Sequence, residues 1–92
     1  MPDNGLHCWV YRSPRIQEMY LYLAQEGGFD RVPEALLARF GDPHLVIELE
    51  LDPGRRLARA DVTSVIRNLR NLGYHLQLPP RLEPTLYRGN QD

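Results

Sequence analysis

Two short stretches, LHCWVYRS (6–13) and MYLYLA (19–24), are apolar on both of their alternating sets of positions. In the first, Cys8 and Val10 lie on one side and Trp9 and Tyr11 on the other. In the second, Met19, Leu21 and Leu23 oppose Tyr20 and Tyr22. Side chains alternate between the two faces of a strand, so a strand that is apolar on both must be covered on both. The polar SPRIQE between them carries Pro14, which cannot extend a ladder, and the pair therefore reads as a hairpin.

The remaining elements must supply that cover. QEGGFDR reads as a loop broken at Gly27-Gly28. VPEALLARFG reads as a short helix, with Pro33 at its first position and Glu34 near the positive end of its dipole. Leu36, Leu37 and Phe40 form its apolar face, Gly41 is the left-handed residue that closes it, and Pro43 stops it resuming. HLVIELEL alternates, with Leu45, Ile47, Leu49 and Leu51 against His44, Val46, Glu48 and Glu50, which predicts a half-exposed strand near a sheet edge.

After the turn DPGRR comes ADVTSVIRNLRNLG, whose Val62, Val65, Ile66, Leu69 and Leu72 follow helical spacing. Asp61 is placed as its N-cap or first-turn acid and Gly73 as the residue beyond its C-terminus. In the following YHLQL, Tyr74, Leu76 and Leu78 are expected inward and His75 and Gln77 outward. Pro79-Pro80 then ends backbone pairing. The order is β-β-α-β-α-β, an α+β fold. The economical arrangement is a four-stranded, mainly antiparallel sheet with a helix on each face, an α/β/α sandwich. With both helices on one face instead, an apolar set of the first hairpin would face water or a partner.

At 92 residues the chain is one domain, read as 1–82 with a flexible tail over 83–92. Folding hides roughly 60–70% of the surface of such a chain, leaving little room for a deep, walled active site. The net charge of −1 produces no global attraction to nucleic acid or anionic lipid. All 11 basic residues are arginine, which excludes a lysine Schiff base. A single cysteine excludes an internal disulfide and a four-cysteine zinc site. No apolar run approaches the ~20 residues of a membrane span, and MPDNGLHCWVY lacks the pattern of a secretory leader. A cytoplasmic setting is expected, with no membrane association.

Candidate chemistry is sparse. His7, Cys8, His44 and His75 match no metal-binding spacing, and neighbours on a strand point to opposite faces. Cys8 sits in apolar company, which dulls a thiol, and Ser13 and Ser64 lack a nucleophile-elbow motif. Glu48 and Glu50 are neighbours on a solvated face, and no phosphate-cradling glycine loop is present. No catalytic residue, metal or cofactor is assigned. Two groups of side chains suit recognition. Tyr11, Arg12 and Arg15 meet at the hairpin turn, and Arg55, Arg56, Arg59, Arg67 and Arg70 gather around the second helix.

Together CWVYRS, MYLYLA, FDRVPEALLARFG, LARADV and GYHLQLPP occur in an order that resembles the YcgL-domain family of small bacterial proteins, over about residues 7 to 82. The resemblance implies an α/β/α sandwich on a four-stranded antiparallel sheet. It carries no established activity and no catalytic residues. Family members are often encoded beside ribonuclease D in gammaproteobacteria, an association with RNA metabolism only. Of the family's recurrent positions, those matching Arg12, Arg31, Gln77 and Pro80 do not follow from packing alone.

The leading expectation is a non-enzymatic protein-interaction or adaptor module. Its binding residues would be Tyr11, Arg12, Arg15, Arg31, Gln77, Pro79 and Pro80. The alternative is an RNA-metabolism accessory protein that binds RNA or a ribonuclease, with no DNA specificity. A small enzyme without a recognisable catalytic motif ranks third. The oligomeric state is open.

Overall fold

The computed structural model describes residues 5–52, 54 and 61–79. Pro80, the arginines at 55, 56 and 59, and the tail over 83–92 lie outside the described residues. The elements run β1 (Leu6–Arg12), β2 (Tyr20–Leu23), α1 (Glu34–Phe40), β3 (His44–Leu51), α2 (Val62–Leu72) and β4 (Tyr74–Gln77). One 3-10 turn, Phe29–Arg31, interrupts the segment expected to be loop. The four strands form one sheet in the order β3-β1-β2-β4, and all three pairings are antiparallel. The expected α+β class is what the chain adopts, and β3 is an outer strand, as its alternation predicts.

The doubly apolar hairpin strands are central, where both their faces find apolar neighbours. Cys8 and Val10 join Tyr22, Leu51 and the Val62, Val65, Ile66 and Leu69 stripe of α2 in one cluster. Tyr11, Met19, Leu21 and Leu23 join Val32 and Phe40 in a second, packed by Trp9, Leu36, Leu37, Tyr74 and Leu76. Cys8, Leu21, Leu23, Phe40, Leu51 and Val65 are fully excluded from solvent. Burying side chains of this kind contributes about 1.5–3 kcal/mol each.

The helix ends follow the expected chemistry with small differences. Asp61 is the N-cap of α2: its carboxylate accepts from the Thr63 amide at 3.3 Å and from Ser64 Oγ at 3.0 Å. Gly73 is left-handed at φ 90°, ψ −5°, and its amide donates to the carbonyls of Asn68 and Leu69. Pro33 is the N-cap of α1 instead of its first residue, and its carbonyl accepts from Leu36 and Leu37. Gly41 ends α1 at φ 88°, ψ −165°, an extended positive-φ geometry rather than the left-handed helical one.

Three side chains depart from the periodicity. Leu72 is 47% exposed: in the last turn of α2 it sits at the margin of the stripe, about 70° round the helix from its centre. His75 and Gln77 pair with Tyr22 and Tyr20, and so share the sheet face of α2 instead of pointing outward. With apolar clusters on both faces of the central strands, neither face of the adjoining β4 is simply outward.

Candidate interaction surface

The two arginines of the sequence reading that flank helix ends do the same local work. Arg15 Nη1 donates to the Ala38 carbonyl at 3.2 Å, in the last turn of α1. Its side chain lies so close to Gly41 that an added Cβ would stand 2.9 Å from Arg15 Cγ. Arg31 Nη1 reaches the Leu72 carbonyl at 3.5 Å, and its Cδ would be 3.0 Å from a Cβ on Gly73. Each guanidinium lies at the negative end of a helix, where a cation is favoured, and a glycine makes the approach possible.

Tyr11 is buried and pins a loop. Its hydroxyl accepts from the Gly27 amide at 2.9 Å, and its ring meets Phe29 edge-on at 4.9 Å. Arg12 is exposed at the end of β1, opposite Tyr20 on one side and His44 on the other. Gln77 is half-buried, and its Oε1 accepts from Tyr22 OH at 3.1 Å. Beside that pair, Asn68 Nδ2 lies 2.9 Å from His75 Nδ1, and burial lowers the His75 pKa from its usual 6.5. Pro79 is buried. The structure therefore brings Tyr11 and Arg12 together on β1, while Arg31 and Gln77 lie beyond β2 and Arg15, in the β1–β2 turn, reaches over to the end of α1.

Weighed in sequence only as a nucleophile, Ser13 has a structural role that the sequence reading missed. It is buried, donates Oγ–H to the Phe40 carbonyl at 2.6 Å, and accepts from the Arg15 and Ile16 amides at 3.1 and 2.9 Å. A serine just before a proline, where the strand stops, is the signal that marks such a turn.

The surface least explained by internal packing is the outer strand. Along β1 and β3 the register runs Leu6↔Leu51, Cys8↔Leu49 and Val10↔Ile47, then shifts to Tyr11↔Leu45. Val46 has no opposite residue, which makes it the extra residue of a bulge. The single face expected for Leu45, Ile47, Leu49 and Leu51 is thereby split. Ile47 shares the face of Val10, whereas Leu45 shares that of Tyr11. Leu45, Val46 and Ile47 are 50%, 50% and 48% exposed, so apolar surface wraps around the outer side of β3, which among the described residues pairs only with β1. Next to it Glu48 Oε2 contacts His7 Nε2 at 2.6 Å, and the His7 ring stacks edge-on against Trp9 at 4.9 Å.

Among the described residues no group of His, Cys, Asp and Glu is placed to hold a metal ion, and no helix is long and apolar enough to cross a membrane. A family model for the YcgL domain matches residues 8–80. A YcgL domain-containing protein of Pseudomonas putida strain GB-1 is 55% identical over 73 residues, covering 79% of this chain and 75% of that one. Another, of Azotobacter vinelandii strain DJ, matches over the same shares at 55%. A third, of Stutzerimonas stutzeri strain A1501, is 52% identical over 75 residues, 82% of this chain and 77% of its own.

Proposed function

The chain belongs to the YcgL domain family, and from that premise we propose that it is a non-enzymatic interaction module that docks a protein partner along β3. The relatives' names give a domain and no activity, so the reading rests on the surface. The observation that carries it is the run of three half-exposed apolar residues, Leu45, Val46 and Ile47, on a strand that among the described residues pairs on one side only. An extended segment can add to such an edge through main-chain hydrogen bonds, with side-chain contacts supplying selectivity.

The occupant is an extended peptide that carries apolar and basic residues. Glu48, which contacts His7, and Glu50 are both exposed on the same strand, and their charge favours a basic partner. They also oppose pairing with a second copy, in which acidic β3 would face acidic β3. The bulge at Val46 aims the apolar side chains to both sides of the edge, so a partner that straddles it buries both sets.

Photo-crosslinking tests this reading. A photoreactive residue replaces Val46 in one protein and Arg67, exposed on α2, in a control, and each is irradiated in bacterial extract. A discrete protein adduct at position 46, absent at position 67 and lost on adding Ile47→Asp, is the expected result. An adduct with a second copy, an adduct with RNA, or no adduct above the control overturns it.

A further inference from the structure

A cleft of about 180 Å³ lies between the loop after β2 and the C-terminal turn of α2. Its walls include Gln25, Gly28, Gly73 and two arginines from separate elements, Arg31 of the 3-10 turn and Arg70 of α2. Among the described residues neither guanidinium has an ion-pair partner; the pair His7–Glu48 is elsewhere. Each makes one long hydrogen bond to a backbone carbonyl, Arg31 to Leu72 at 3.5 Å and Arg70 to Gly5 at 3.3 Å. A guanidinium has five N–H donors, so among the described residues each arginine keeps donors beyond its one bond.

The helix end beside them does not repel an anion as strongly as a bare C-terminus would. The Asn68 and Leu69 carbonyls accept from the Gly73 amide, the Leu72 carbonyl accepts from Arg31, and the Gly73 carbonyl accepts from the Ala24 amide. The two glycines keep the walls low, since neither adds a side chain to the space.

We propose that this cleft binds a phosphate group through Arg31 and Arg70. One planar fork saturates a carboxylate, whereas two forks from different elements suit an oxyanion with three or more accepting oxygens. The volume is close to that of a cavity of ~150 Å³ that takes one benzene ring. It therefore admits a phosphate with a short stem and excludes a whole nucleotide from the cleft itself. This site is independent of the β3 edge, and either can fail without the other.

The test is a titration of 15N-labelled protein with inorganic phosphate, matched in ionic strength by sodium chloride. Saturable shifts at the Gly28 and Gly73 amides and the side chains of Arg31 and Arg70, reaching half-maximum at low millimolar phosphate and absent with chloride, are expected. Arg70→Gln should weaken binding at least tenfold, and Arg39→Gln, on α1, should leave it unchanged. Arg31→Gln removes a contact to the end of α2, so its Tm is read alongside its affinity, and Arg70→Gln decides the matter if it unfolds. Comparing oligoribonucleotides that end in a 5′-phosphate or a 5′-hydroxyl separates a nucleic-acid end from free phosphate as the source. Shifts that are linear, equal with chloride, or undiminished in Arg70→Gln overturn the proposal.

Discussion

Arg15 lies across Gly41 so closely that a single added methyl group would stand 2.9 Å from its Cγ. The glycine is held at φ 88°, ψ −165°, a region open essentially only to glycine, and Arg15 reaches over it to the Ala38 carbonyl. Gly41→Ala is therefore expected to destabilise the fold by about 2–4 kcal/mol, from backbone strain and the clash together. Adding Arg15→Ala removes the clash and leaves the strain, so the double variant should recover part of the loss. Urea denaturation of the four proteins in the cycle checks this; full additivity of the two single losses would show that the contact is not felt.

Gly73 repeats the arrangement in a milder geometry. Its φ 90°, ψ −5° lies in the left-handed region that other residues enter at moderate cost, although Arg31 again stands 3.0 Å from the missing Cβ. Gly73→Ala should cost about 1–2 kcal/mol, less than Gly41→Ala. The order of the two Tm values is the measurement, and a reversed order would mean that packing by Arg31 outweighs backbone strain.

Ser13 joins three backbone groups in a buried place: the Phe40 carbonyl and the Arg15 and Ile16 amides. Ser13→Ala leaves them without that partner and should lower stability by about 1–3 kcal/mol. In a domain of this size Tm falls about 4–8 °C per kcal/mol. Faster amide exchange confined to the β1–β2 turn and the end of α1 would mark the loss as local to these bonds. An unchanged Tm would show that water replaces the hydroxyl.

The order of elements, the cover on both faces of β1 and β2, the outer place of β3 and the caps at Asp61 and Gly73 were all legible, because each follows from local periodicity or backbone preference. What escaped depends on pairing between distant residues. Nothing local to HLVIELEL announces that Val46 lacks an opposite residue; the bulge exists only in its register with β1. Nothing local to Arg15 or Arg31 announces the carbonyls they meet, Ala38 and Leu72, which lie 23 and 41 residues away. Likewise His75 and Gln77 alternate as outward residues do, but the face they occupy is the one α2 covers.

His75 makes stability depend on pH. Burial disfavours the charged imidazolium, so the folded pKa lies below the 6.5 of the unfolded chain. The ring also faces Asn68 Nδ2 and the edge of Tyr22, and no carboxylate among the described residues pairs with it. Above pH 6.5 both states are neutral and the contribution is complete. As pH falls below that value the unfolded chain takes up a proton that the folded chain resists, and stability is lost. Urea midpoints of the native protein should therefore decline between pH 8 and pH 5 more than those of His75→Gln. Parallel profiles would show that His75 does not titrate differently in the folded state.

The β3 edge separates binding from folding. Leu45 and Ile47 are 50% and 48% exposed and belong to neither apolar cluster, unlike Leu51 on the same strand, which is fully buried. Replacing both with serine removes surface that is already half in water, so the change in stability should stay within about 1 kcal/mol. Leu51→Ser, by contrast, places a hydroxyl in a core position and should cost several times more. If the edge is where a partner adds, the Leu45→Ser, Ile47→Ser protein keeps its Tm and loses the adduct formed from position 46. A large fall in Tm in that variant would instead make Leu45 and Ile47 part of what holds β3 to β1, and the docking reading would lose its surface.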